Sequence, residues 1–165
     1  MPNLYRLALA ASVLLTTAPL HAGVLFAGGY WAALERNGGR SCEAVGRSEL
    51  EARPGREQAR ASFSFDRSGS RRGEFHLRLS WPARAGAAAL LSAGGQSFLL
   101  DTRGNHAWSR SPAQDLAIMA AIRRSTEMRV RVRDSAGRGV SDRYLLAGAP
   151  TAIDAAAVAC APSAK

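Results

Sequence analysis

Apolar and polar residues alternate along several short stretches of this chain. From Glu74 to Trp81 every second residue is apolar, and the residues between them are polar. The same period of two recurs over 62–66 and over 127–133. Side chains that alternate in this way point to opposite faces of an extended backbone, so each stretch predicts a half-buried β-strand.

Glycine-rich turn sequences separate further short apolar segments. They stand at 37–39, 93–96 and 134–139, and they predict turns between antiparallel strands. The flanking segments, 31–34, 42–45, 90–91, 98–100 and 143–146, are therefore expected to be strands. Residues 47–60 are polar, and no element is predicted there.

Two helices complete the pattern. Ser111 is the expected N-cap of the first helix, followed by Pro112 at the first helical position, and the helix is expected to reach about Arg124. The second begins near Thr151 and places Cys160 on its apolar face. About seven short strands with two short helices predict a mainly β fold, a β-sandwich or partly open barrel.

The first 22 residues have the layout of a secretory signal peptide. Arg6 precedes an apolar run, and cleavage is expected after Ala22, with Ala18 as the alternative. A membrane anchor would need about 20 uninterrupted apolar residues, and Pro19 and His21 interrupt this run. We therefore expect one domain, residues 23–165, in the periplasm or secreted, with no transmembrane segment after cleavage.

The formal net charge is +9, and the only lysine is Lys165. Such a balance is typical of proteins that bind polyanions, although an arginine- and alanine-rich composition also follows from a GC-rich genome. Because an exported protein rarely meets nucleic acid, the expected anions are glycans or lipids.

Two cysteines, Cys42 and Cys160, remain in the mature chain. Outside the cytoplasm such a pair is usually a disulfide. A metal site is the alternative, but His76 and His106 show no metal-ligand spacing with the cysteines. His76 is expected on the exposed face of a strand, and His106 in a turn.

The later half of the mature chain resembles the invasion-associated locus B family of bacterial exported proteins. The resemblance is densest over 97–160, and Trp31 with Cys42 resembles the family's opening residues. The matching positions, to which it implies structural roles, are Trp31, Trp108, Gly139, Asp142, Tyr144 and Gly148. It implies an immunoglobulin-like β-sandwich in the cell envelope of a Gram-negative bacterium, and it implies no mechanism. Ala149 departs from the pattern, since an aromatic residue commonly follows the glycine.

No catalytic constellation is indicated. The chain lacks the G-x-S-x-G motif of serine hydrolases, and nothing in the sequence brings Ser97, Asp101 and His106 together. We therefore expect no enzyme activity, no cofactor and no metal site.

Three arginines, Arg129, Arg131 and Arg133, alternate with apolar residues in the strand at 127–133. They are expected to form a row on one face, about 7 Å apart, that could bind an anion. Alternatively, an acid such as Glu74 or Asp101 lies opposite and the row is merely solvated.

These observations predict an exported, non-enzymatic envelope protein that binds an unidentified envelope or host macromolecule or has a structural role. An anion-binding module for a lipopolysaccharide-like component is the alternative. A small hydrolase is a third hypothesis.

Overall fold

The computed structural model describes residues 23–52 and 54–162. The predicted signal peptide, residues 1–22, lies outside the described residues. The strands are β1 (Val24–Gly28), β2 (Trp31–Arg36), β3 (Ser41–Arg47), β4 (Arg60–Asp66), β5 (Arg72–Arg78), β6 (Ala89–Ala93), β7 (Gln96–Arg103), β8 (His106–Trp108), β9 (Glu127–Arg133) and β10 (Gly139–Leu145). The helices are α1 (Pro112–Ile122) and α2 (Ala149–Ala159).

The described strands join one antiparallel sheet in the order β1-β2-β3-β4-β5-β8-β7-β6-β9-β10. The predicted mainly β fold with two short helices is confirmed. Strands β1 and β8 are not among the predicted strands, and the three-residue strand β8 lies between β5 and β7. Strand β7 is shared, because its first half pairs with β6 and its second half pairs with β8.

The two ends of the sheet approach each other at the turn between β1 and β2. The Tyr30 amide donates to the carbonyl of Ala147 at 2.9 Å, and the Trp31 indole donates to the carbonyl of Leu145 at 3.0 Å. The sheet is therefore curled, with the segment after β10 held against the start of β2.

Gly148 allows this close approach. Its φ is 89°, and a Cβ at this position would lie 2.1 Å from the carbonyl oxygen of Gly28. Any side chain at Gly148 would push the two segments apart.

The core fills the inside of the curled sheet. Phe63 and Phe75 are fully buried there, with ring centroids 5.0 Å apart, and they lie on the apolar faces that the alternation predicts. The alternating strand ends at Arg78 rather than at Trp81. Trp81 is only partly buried, with the guanidinium of Arg56 4.5 Å from its ring centroid.

Helix α1 begins as predicted and ends slightly early. The Gln114 amide donates to the hydroxyl of Ser111 at 3.2 Å, which caps the helix. The helix ends at Ile122, so Arg123 and Arg124 follow the last turn instead of lying in it. Arg123 forms an ion pair with Asp154 of α2, which joins the two helices.

Helix α2 begins at Ala149, two residues before the predicted start at Thr151. It packs mainly on β1, β2 and β3. Cys160 follows its end, and the predicted disulfide is confirmed, with the Cα atoms of Cys42 and Cys160 5.7 Å apart. In the described ranges, neither helix is long and apolar enough to cross a membrane.

Candidate anion-binding face

The predicted β9 arginine row, Arg129, Arg131 and Arg133, projects from one exposed face. Arg129 donates to Glu127 at 3.2 Å, and Arg133 donates to the carbonyl of Gly137 at 3.1 Å. Arg131 forms no ion pair with any residue in the described ranges.

Neither Glu74 nor Asp101, the two acids named in the alternative expectation, lies opposite this row. The facing residues on β10 include Arg143 and Ser141, and Asp101 instead pairs with an arginine of the loop before α1. The acid that forms an ion pair with this row is Glu127, on the same strand, and its partner is Arg129. The hydrogen bond from Arg143 and, to a smaller extent, the one from Arg129 hold the pKa of Glu127 below its usual range.

A second basic surface crosses five neighbouring strands at one level. The pairing register sets Arg60 of β4 between Arg47 and Arg78. It sets His106 of β8 between Arg78 and Arg103. Directly opposed residues of antiparallel strands share a face, so these five residues form a basic ladder perpendicular to the strands. Strands lie about 4.8 Å apart, and the ladder is therefore about 19 Å long.

The ladder has one acidic partner among the described residues. Arg78 is partly buried and forms an ion pair with Glu57, and its Nε is buried without a hydrogen-bond partner in the described part of the chain. Arg47, Arg60 and Arg103 are exposed, and within that part of the chain they form no ion pair. Like charges directly opposite each other are destabilising. The guanidinium groups of the ladder therefore repel one another, and a bound anion would reduce this repulsion.

The ladder residue His106 forms a pair of imidazoles with His76 of β5. Nε2 of His76 is 2.9 Å from Nδ1 of His106. The pKa of His106 is lowered mainly by partial burial and, to a smaller extent, by the positive charges of Arg78 and Arg60. Partial burial, and then His106, lowers the pKa of His76. Both rings are therefore mostly uncharged at neutral pH.

Trp108 adds an aromatic surface next to this pair. Its ring centroid lies 5.5 Å from that of His76 and 5.8 Å from that of His106, and the indole is partly exposed. The acids Glu43 and Glu74 lie on the same face, several residues further along their strands. The face is thus basic at the ladder, aromatic beside it and acidic beyond.

A shallow groove adjoins the β3 end of the ladder. Its volume is about 650 Å³, and its lining includes Arg47, Arg60 and the half-exposed ring of Tyr30. The ladder therefore continues into a surface depression rather than ending at a smooth edge.

The sequence alone does not predict the ladder, because its members are scattered from 47 to 106. Each strand contributes one residue, and only the pairing register shows that they are opposed. The expectation that His106 lies in a turn is wrong, since it begins β8. His76 is on the outward face of β5, as predicted, but it is bonded to His106 instead of being fully solvated.

The six positions that carry the family resemblance lie in different environments. Trp31 is buried and Gly148 is in contact with the β1–β2 turn. Tyr144 is fully buried, whereas Gly139 is exposed, with nothing within 4 Å of the position of a Cβ.

Asp142 is buried, and its carboxylate accepts from the Ser80 amide at 3.0 Å. Burial raises its pKa. The sixth position, Trp108, stands apart from these structural environments, because it is on the face of the ladder.

The three residues considered for hydrolase chemistry bond to different partners. Ser97 is 3.3 Å from the hydroxyl of Ser92, Asp101 accepts from an arginine, and His106 contacts His76. Within the described ranges, no cluster of three or more histidine, cysteine or acidic side chains could hold a metal ion.

No protein-family model matches the chain, and no curated protein or solved structure matches it significantly.

Proposed function

We propose that this protein is an exported, non-enzymatic component of a bacterial cell envelope, periplasmic or secreted, and that it binds an acidic glycan chain across the basic ladder. The observation that carries the proposal is the cross-strand register, which places four arginines and a histidine opposite one another on neighbouring strands. Among the described residues, only one acid forms an ion pair with them. Arginine suits this ligand, since its planar guanidinium binds carboxylate and sulfate groups in bidentate fashion.

The shape of the face favours an extended polymer over a compact headgroup. A row about 19 Å long presents cations at about 4.8 Å intervals, and a linear polyanion can contact them in succession. The partly exposed rings of Trp108 and His76 offer the flat, amphipathic surface that a sugar ring can cover. A glycan fits an exported protein better than nucleic acid does.

The resemblance to the invasion-associated locus B family supports the envelope assignment, and we extend the proposal to its immunoglobulin-like sandwich. The division of β7 between two sets of partners, β6 and β8, supports a two-layered arrangement of the sheet. The disulfide supports export, because disulfides persist in oxidising compartments.

Affinity measurements on two variants test the proposed site. One variant, Arg60→Gln/Arg103→Gln, removes two exposed ladder charges, and the other, Arg129→Ser/Arg131→Ser/Arg133→Ser, removes three charges from the β9 arginine row. Binding to dextran sulfate in about 0.15 M salt should weaken about eightfold in the ladder variant, at about threefold per charge after screening by salt. The β9 variant should change by about threefold or less, through the general field of the protein. A larger loss in the β9 variant would assign the site to β9 and refute the proposal.

A further inference from the structure

His76 and His106 are the histidines of the described ranges, and the fold brings them together from 30 residues apart. Their rings are nearly parallel, with an interplanar angle of 19° and centroids 5.1 Å apart. A hydrogen bond between two imidazole nitrogens needs one N–H donor and one bare acceptor. The bond therefore persists when the pair gains one proton and is broken when the pair gains two.

Charged groups face the pair from every neighbouring strand. The cations are Arg60 of β4, Arg78 of β5 and Arg103 of β7. The carboxylates are Glu43 of β3, Glu74 of β5 and Asp101 of β7. Glu43 partly offsets the lowering of the pKa of His76. Arg78 and Arg103 are directly opposite His106 in the register, and the charges of Arg78 and Arg60 oppose its protonation.

We propose that the His76–His106 pair is a proton-dependent subsite for one anionic group of the glycan, a proposal that rests on the function proposed above. An anionic group bound over the ladder compensates the charges of Arg60 and Arg78, and it thereby favours an imidazolium at His106. Because binding and protonation are linked equilibria, a proton that the ligand stabilises must tighten ligand binding by the same factor. The pair then adds a cation to the row of four arginines at the position of His106, between Arg78 and Arg103.

The size of the effect follows from the interaction of one added charge with one ligand charge. At about 4 Å in an aqueous setting this interaction changes an affinity about fivefold. Acidification from about pH 7.5 to about pH 5.5, across the range in which histidines titrate, should therefore tighten binding about fivefold.

Titration calorimetry with dextran sulfate tests the subsite, since sulfate esters stay ionised throughout this range. The wild-type protein and the variant His76→Asn/His106→Asn are compared at both pH values and at a constant low salt concentration of about 0.01 M, where screening is weak. The wild-type affinity should rise about fivefold on acidification, and the variant affinity should change by less than about twofold. Asp142, whose pKa is raised, is present in both proteins and cancels in the comparison.

A second measurement needs no variant. The Hε1 signals of both histidines are followed by NMR across the same pH range, with and without dextran sulfate, and the ligand should move both titrations to higher pH. Binding that is equally tight at both pH values, or histidine titrations that the ligand leaves unchanged, would overturn the subsite and leave the proposed function standing. Absence of binding at either pH would overturn the proposed function itself.

Discussion

Replacing Arg60 with glutamine should make the free protein more stable while it weakens glycan binding. Arg60 lies directly between Arg47 and Arg78 in the ladder. Two unit charges about 5 Å apart in water repel by about 0.8 kcal/mol, and screening in about 0.15 M salt roughly halves this. Arg60→Gln removes two such pairs, so the free energy of unfolding should rise by about 0.8 kcal/mol, and by only about 0.3 kcal/mol in about 1 M salt.

Urea unfolding at both salt concentrations measures this gain. The matched control is Arg103→Gln, which removes a charge from the same row at a position opposite His106, where no like charge is close at neutral pH. Asp101 lies two residues away on the same face, so this control should leave stability unchanged or slightly lower it. A stability loss in Arg60→Gln, or a gain equal at both salt concentrations, would refute the repulsion argument.

The remaining predictions concern the scaffold and its export. Cys160→Ser should lower the free energy of unfolding by about 2–5 kcal/mol in a urea melt, and the unreduced wild-type protein should label no free thiol. Gly148→Ala should cost clearly more stability than Gly137→Ala, because both residues have positive φ but only the first would place a Cβ 2.1 Å from the Gly28 oxygen. Equal costs would contradict the close approach. The intact mass of exported protein should correspond to a chain that begins at Gly23, and a full-length product would contradict the signal peptide.

Local patterns were enough to predict most of the elements. The alternation around Phe75 and the glycine turns depend on side chains a few residues apart, so the sequence displays them directly. The alternation continues to Trp81, but strand β5 ends at Arg78, and the Leu79 amide donates to the carbonyl of Asn105 in the turn before β8. Strand β8 has only three residues, too few for a period to be recognised.

The candidate site could not be predicted in the same way. The β9 arginine row is contiguous in sequence, so the alternation alone predicts it, whereas the ladder depends on which strands are neighbours. The placement of β8 between β5 and β7 is a long-range pairing, and it alone brings His106 to Arg78 and His76. A sequence that shows isolated arginines in separate strands contains no signal of their common level.

NMR mapping of an acidic oligosaccharide on the isotope-labelled protein distinguishes glycan binding at the ladder from binding at β9. We expect the largest shifts at the guanidinium Nε–H signals of Arg47, Arg60 and Arg103 and at the indole N–H of Trp108, which is beside the ladder. The Nε–H signal of Arg131, on β9, should change little. Large shifts at Arg131 with none along the ladder would contradict the account.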